Sequence, residues 1–381
     1  MGIGNEGRQV AQFSVQEIWD VLERWAPASH AFDWDRVGLS IGEPGAQVRK
    51  ALVCLTVTPA AVAAAKRARA QIIVSHHPLI WNPIAALRTD DPHVRLCLEI
   101  VEAGIACFAA HTNLDVVPGG VNHVLAESLG LVDTTPLFQA PQATQLKLIC
   151  FVPETHLTVV REALARAGAG EIGDYTHCTF CIPGTGTFRP KPSAHPYAGE
   201  VGKLNEEPEI RVETLFPSAR RAQVLRALRE THPYEEPAYD LQVLENVDPA
   251  VALGVRGRLP KPITLRRFAE QVGEALEVEH VRMIGQGRGR VQTVAVLGGS
   301  GGGSIGKVPQ AVDVFVTGDV KYHDALLAEE NGLKVIDAGH AGTEKGIVPV
   351  MARHLKEHLK GLAVTTYMEP ELFQLVADHR R

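Results

Sequence analysis

Three short stretches gather the side chains best suited to concerted chemistry: VSHHPLIW at residues 74–81, HTNLD at 111–115 and DAGHAGTEKG at 337–346. In the first, His76 and His77 are adjacent. Neighbours on an extended strand point to opposite faces, so both reach one metal centre only where the backbone turns, which Pro78 favours. In the second, His111 and Asp115 stand four residues apart, with local turns made by Asn113 and Asp115 as the competing use of that segment. In the third, His340 precedes Glu344 by four positions, which on a helix stacks imidazole and carboxylate on one face. The competing use there is helix capping, with Thr343 as the cap and Glu344 complementing the helix dipole; Pro349 leaves the helix start open.

The elements that must position these stretches are legible around them. FSVQEIWDVLERW carries a capping box, Ser14 with Glu17, and an apolar stripe at Val15, Ile18, Trp19, Leu22 and Trp25, predicting an amphipathic helix. ALVCLTV reads as a buried strand, Thr58 and Pro59 open the alanine-rich helix PAAVAAAKRARA, and QIIVS follows as a second strand, a βαβ unit. Asp91 and Pro92 start a helix that Gly104 ends, and IACFAA leads as a strand into HTNLD. The histidine-bearing stretches therefore begin where strands end, the edge of an α/β sheet at which ligands gather.

From about residue 145 the texture changes. LKLICFVP, the helical TVVREALARAG, a Gly/Pro-rich passage through HPYAGEVG, IRVETLFP, SARRAQVLRALRE and AYDLQVL read as strand, helix, loop, strand, helix, strand: a small α+β module. VALGVRGRLPKP reads as a connector, after which VQTVAVLGG, DVFVTGD, the helix around YHDALLAEE, the strand LKVIDA and a last long helix resume the alternation. The expected organisation is an α/β core built from residues 1–140 and 250–381, with an α+β domain inserted at 145–246.

Together, His76, His77, Asp115, His340 and Glu344 offer three imidazoles and two carboxylates on loops after apparent strands. A tetrahedral zinc takes four ligands at most, and a catalytic one keeps a position open, so five protein ligands with two carboxylates able to bridge suit two ions better. The donor mixture favours zinc, iron, manganese or cobalt over calcium or magnesium. A single-zinc site using only His76, His77 and Asp115 is the simpler alternative.

WDRVGLSIG, VSHHPLIW, HTNLD, VTGDVKYHDAL and DAGHAGTEKG, in that order, resemble the motifs of the Nif-three-like dinuclear metal-centre proteins, known also as GTP cyclohydrolase 1 type 2 homologues, over essentially the whole chain. The resemblance implies a two-metal site ligated by His76, His77, Asp115, His340 and Glu344, with Glu344 bridging and a water or hydroxide between the ions. It also implies a ring-shaped homohexamer whose metal sites face an internal cavity. The middle segment is similar to the insert of the longer members, a domain like the PII signalling and CutA proteins, through YTHCTFCIPGTGTFRP and HPYEEPAYDL. Against the family pattern, Thr56 in LTVTP stands where an aspartate is common and Asp319 where a glutamate is common.

Several motifs stay outside the expected site. Cys178 and Cys181 form half a CxxC array with no second pair and read as incidental, and His232, Glu235 and Glu236 of HPYEEP read as a turn around Pro233 and Pro237 as readily as a ligand site. GGSGGGSIG at 298–306 could bring backbone amides to a phosphate, yet it lacks the order of a P-loop, and a flexible turn is the expectation. His323 in VKYHDAL is the candidate for proton transfer, with a surface histidine as the alternative.

Acidic residues outnumber basic ones, 44 to 38, for a net charge of −6, and no Lys/Arg-rich block supports nucleic-acid binding. No segment reaches the roughly 20 apolar residues that cross a bilayer, and MGIGNEGRQV lacks the regions of a secretory signal, so a cytoplasmic location is expected. Cys54, Cys97, Cys107 and Cys150 lie in apolar runs and read as reduced core residues. The leading expectation is a metal-dependent hydrolase acting on a small molecule, with nucleotides among the candidates because of the GTP cyclohydrolase resemblance. The competing expectation is a non-enzymatic metal-binding or regulatory scaffold whose insert senses a small ligand.

Overall fold

A computed structural model describes residues 12–248 and 251–373; the MGIGNEGRQV stretch lies outside them. The chain divides into two compact units, one formed by residues 1–139 and 250–381, the other by 140–249.

The discontinuous unit contains a five-stranded and a six-stranded sheet. The five strands run in the order Ala363–Thr366, Lys50–Cys54, Ile72–Ser75, Ala106–Ala109 and Gly38–Ile41, all parallel except the last. Lys50–Cys54, Ile72–Ser75 and Ala106–Ala109 are almost wholly buried, which is why they read as continuous apolar runs rather than alternating ones. The helix Pro59–Ala68 starts at Thr58, whose side chain accepts from the Ala61 amide, and Pro92–Glu102 starts at Asp91, whose side chain accepts from the His93 and Val94 amides. Val62, Ala65, Leu96, Cys97 and Ile100 from these helices close over Leu52, Cys54, Ile73 and Cys107. The first helix, Val15–Trp25, has the Ser14/Glu17 capping box; it buries Val15, Ile18, Val21 and Leu22 and leaves Trp19 and Trp25 half-exposed.

The six-stranded sheet is ordered Arg282–Ile284, Lys334–Asp337, Val314–Thr317, Arg290–Val296, Ala252–Thr264 and Val132–Gln139, with a parallel centre of Arg290–Val296, Val314–Thr317 and Lys334–Asp337. The VALGVRGRLPKP segment, expected as a connector, is a strand paired on both sides. Its prolines argue locally against a strand, but Pro260 and Pro262 are exposed within an irregularity of the ladder between Arg258 and Ile263, where no amide from them is needed. The short strand Ala363–Thr366, which carries no strong signal, returns the chain end to the first sheet beside Lys50–Cys54. The fold is thus an α/β core of two sequence-distant segments interrupted by an insert.

The insert is a four-stranded antiparallel sheet ordered Tyr239–Val247, Thr144–Val152, Asn205–Pro217 and Phe180–Phe188, with the helices Leu157–Arg166 and Arg221–Thr231. Leu148, Cys150, Val152, Val160, Leu164, Val212, Phe216, Val224 and Leu228 form its core. The edge strand Phe180–Phe188 lies within the Gly/Pro-rich passage: an edge tolerates Pro183, and Gly186 packs against the Glu209 carboxylate. Among the described residues, no helix is long and apolar enough to cross a membrane.

Candidate metal centre

The carboxyl ends of the parallel strands of both sheets in the discontinuous unit supply the site. His76 and His77 follow Ile72–Ser75, His111 follows Ala106–Ala109, Thr56 follows Lys50–Cys54, Asp319 follows Val314–Thr317 and His340 follows Lys334–Asp337. Past the strand ends the chain leaves extended geometry. Thr112–Asp115 is one helical turn and His340–Glu344 a short helix, which puts Asp115 and Glu344 one turn beyond their histidines.

Four imidazoles share one arrangement. His76 Nδ1 lies 2.8 Å from the Ala110 carbonyl, His77 Nδ1 2.7 Å from Thr56 Oγ1, His111 Nδ1 2.9 Å from Asp35 Oδ1 and His340 Nδ1 2.8 Å from Asp319 Oδ2. Each ring is thus anchored through Nδ1, which turns Nε2 inward; on His76, His111 and His340 the anchor is a carbonyl or carboxylate, the acceptor that fixes this tautomer in metal-binding histidines, whereas the Thr56 hydroxyl on His77 can donate or accept. The rings of His76, His77 and His111 lie 5.1 to 5.7 Å apart, and His340 is 5.3 Å from His77.

Two carboxylates face these nitrogens. Glu344, 5% exposed, has Oε2 at 2.9 Å from His77 Nε2 and 3.2 Å from His340 Nε2, and Oε1 at 3.7 Å from His76 Nε2. Asp115 Oδ1 is also 3.7 Å from His76 Nε2. At 3.7 Å neither oxygen hydrogen-bonds to the ring, and His76 Nε2 and Asp115 Oδ1 are both buried with no hydrogen-bond partner. Orphaned buried groups of this kind are costly and call for a ligand, and an aligned imidazole nitrogen and carboxylate oxygen are the donors a divalent cation takes. Two overlapping groups have donor atoms close enough to hold an ion: His76, His77 and His111, and His77, His340 and Glu344.

The electrostatics suit a cation. Burial raises the Glu344 pKa, but hydrogen bonding from the surrounding histidines overrides it and holds the carboxyl well below its usual range. Burial works against a charged His76, but the Glu344 and Asp115 carboxylates beside it lift it to about 9; His340, bound to Glu344 and Asp319, also rises to about 9. His77 is lowered, chiefly by burial, and burial raises Asp115. Burial would raise Asp35, yet its bonds to His111 and Thr112 hold it down at about 2. Protons on His76 and His340 thus occupy, in the metal-free protein, charge that a divalent ion would supply.

The five residues expected as ligands, His76, His77, Asp115, His340 and Glu344, are brought together. His323 is exposed on the first turn of Tyr322–Glu330, its ring edge-on to Tyr322 at 5.3 Å, and none of the cluster's contacts among the described residues involves it. Sequence reasoning missed His111 as a donor and Asp35 as its anchor, although WDRVGLSIG and HTNLD each contained one of the pair. The two departures from the family pattern, Thr56 and Asp319, turn out to be the anchors of His77 and His340. Thr343 is no N-cap: its hydroxyl donates within the His340–Glu344 turn and accepts the Gly299 amide.

The glycine-rich loop has a packing role here. A Cβ on Gly299 would lie 2.1 Å from Glu344 Oε1, and one on Gly318 would lie 2.7 Å from the Gly299 carbonyl oxygen and the His340 amide nitrogen. The Gly298 and Gly299 amides are taken by Asn122 Oδ1 and Thr343 Oγ1, so neither is free to cradle a phosphate. Beside His111 stand Trp81 at 5.7 Å and Trp34 at 6.4 Å, both edge-on, with Phe32 stacked on Trp34; Trp34 is 55% and Trp81 43% exposed.

Residues 13–371 match the family described as Duf34/NIF3 (NGG1p interacting factor 3). The chain belongs to the DUF34/NIF3 family. Among its relatives in this family, a GTP cyclohydrolase 1 type 2 homolog of Halalkalibacterium halodurans is 39% identical over 351 residues, 91% of this chain and 92% of the relative. A Bacillus subtilis protein of the same name is 40% identical over 326 residues, 85% and 87% of the two chains. Of the solved DUF34/NIF3-like structures, a Bacillus cereus protein related to NIF3 superposes with a TM-score of 0.69 at 37% identity, covering 97% of this chain and all of the other. A Staphylococcus aureus protein superposes with a TM-score of 0.71 at 26% identity, covering 96% and 99%.

Proposed function

We propose that this DUF34/NIF3 protein is a metal-dependent hydrolase with two divalent ions per chain, drawn from zinc, iron, manganese or cobalt. The observation that carries the reading is the set of four imidazoles anchored through Nδ1 around the buried Glu344 and half-buried Asp115 carboxylates, with His76 Nε2 and Asp115 Oδ1 left without hydrogen-bond partners. His76, His111 and Asp115 would hold one ion, and His77, His340 and Glu344 the other, since His77 has only Nε2 to offer and that nitrogen faces Glu344. Bound there, a pair of ions supplies Lewis acidity, polarising an electrophilic carbon or phosphorus and making water a stronger acid.

The chain's own residues do the rest. Asp35, ionised over the whole physiological range, keeps the His111 proton on Nδ1 and its other nitrogen facing inward. Thr56 and Asp319 orient His77 and His340 in the same way. Trp34 and Trp81, exposed beside His111, offer aromatic edges and faces on which a planar ring can stack, which favours a cyclic, ring-bearing substrate. Cleavage within such a ring accords with the GTP cyclohydrolase name of the relatives. The assembly proposed is a homohexamer, and light scattering of the whole protein measures it directly.

Incubating the metal-loaded protein with nucleotides, cyclic amides and phosphoesters tests the reading. Turnover abolished by Glu344→Ala supports the hydrolase. Absence of turnover across the panel, with metal still bound, supports the scaffold reading instead. Loss of turnover in His323→Ala at unchanged metal content would assign proton transfer to that residue.

A further inference from the structure

The insert contains a cavity of about 800 Å³, within the range that small-molecule sites occupy. All of its walls come from the insert: the edge strand Phe180–Phe188, the proline-rich loop after it, the strand Asn205–Pro217 and the HPYEEP turn. Two charged side chains of that central strand line it, Glu209 and Arg211, two residues apart and therefore on one face.

Glu209 is only 9% exposed. Its Oε1 accepts the Tyr234 hydroxyl at 2.7 Å, one donor for a group with about four acceptor positions. Tyr234 is itself held, its amide donating to His232 Nδ1 while His232 Nε2 bonds the Phe151 carbonyl. A Cβ on Gly186 would lie 2.2 Å from Glu209 Oε2, so glycine on the edge strand leaves the carboxylate room to lie along the wall. Arg211 is complementary: one guanidinium nitrogen binds Glu213 at 2.9 Å, but Nε is buried with no hydrogen-bond partner. Tyr197, 52% exposed, stands 6.0 Å from Tyr234 and adds an aromatic surface.

We propose that this cavity is a second ligand site, separate from the metal centre, which binds a planar nitrogen heterocycle bearing adjacent N–H donors and an anionic group. The donors pair with Glu209, since a carboxylate accepts two parallel N–H bonds. The anion pairs with the exposed part of the Arg211 guanidinium, with Lys191 of the lining loop adding charge. The ring lies against the tyrosines and the flat surface left by Gly184 and Gly186. The inference does not depend on the hydrolase reading, because no residue of the metal centre lines this cavity.

The probe is guanosine 5′-monophosphate, which carries both features. Adenosine 5′-monophosphate lacks the paired donors and guanosine lacks the anion. Titration calorimetry on the whole protein is expected to show one guanosine monophosphate per chain, bound at least about tenfold more tightly than either comparator, the worth of a charge-assisted hydrogen bond. Glu209→Gln replaces two acceptors with one donor and one acceptor, the pattern that matches adenine; it is expected to reverse the preference. Arg211→Gln, on a partly exposed side chain, is expected to erase the advantage over guanosine. His340→Ala in the metal centre should leave guanosine monophosphate binding unchanged. Binding that is lost in His340→Ala, that survives both insert variants, or that is absent at millimolar nucleotide overturns the proposal.

Discussion

In the metal-free protein, Glu344→Gln keeps the shape of a 5% exposed side chain and removes the charge that three histidines face. His76 is fully buried, so without Glu344 its pKa should fall from about 9 to the ordinary 6.5 or below. At about 1.4 kcal/mol per pH unit, that removes roughly 3 kcal/mol of pH-dependent stability. His340 follows in the same direction but is 38% exposed, and solvent screening leaves it a small share. The sign is fixed by linkage: a histidine whose pKa is raised on folding stabilises fully below 6.5, and that contribution disappears as the pH rises through 9. Urea denaturation in the presence of chelator, below pH 6.5 and above pH 9, should therefore find the wild type far more stable than Glu344→Gln at the lower pH, with the gap shrinking by about 3 kcal/mol at the higher. Metal-loaded protein should show the opposite trend, since protons compete with the ions for the same nitrogens. A gap of equal size at both pH values, or a His76 imidazole that titrates near 6.5 by NMR, would refute the reasoning.

Thr56→Val removes the anchor of His77 Nδ1 while preserving volume; metal affinity measured by competition with a chromophoric chelator should fall about 10- to 100-fold, with the denaturation midpoint of the metal-free protein little changed. Burial lifts the thiols of Cys107 and Cys150 to about 12 and that of Cys54 well above its usual value. Folded protein should label with iodoacetamide only at the half-exposed Cys178 and Cys181 at neutral pH, and the buried thiols should react only on unfolding, as peptide mass spectrometry would record.

How much of this was readable in the sequence depended on whether the signal was local. The βαβ units were legible because buried parallel strands are continuous apolar runs and because Thr58 and Asp91 cap their helices with side chains adjacent in sequence. The histidines stood out because each follows such a run. Asp35 and His111 were opaque as a pair, since 76 residues separate them and neither fragment alone points to a shared bond. VALGVRGRLPKP and FCIPGTGTF failed as strands for the same reason: proline and glycine argue against strand locally, and only a ladder irregularity in one case and an edge position in the other make them tolerable. Thr56 reads as the loss of a carboxylate relative to the family pattern and Asp319 as a smaller change, and both still present an oxygen to the imidazole they orient.

The central claim is that these residues hold a pair of ions rather than one. Anomalous X-ray scattering from crystals of the metal-loaded protein, recorded at the zinc, iron, manganese and cobalt edges, counts and identifies them together. Two peaks per chain are expected, one among His76, His111 and Asp115 and one among His77, His340 and Glu344. A single peak bounded by His76, His77 and Asp115, unchanged in His340→Ala, would contradict that claim.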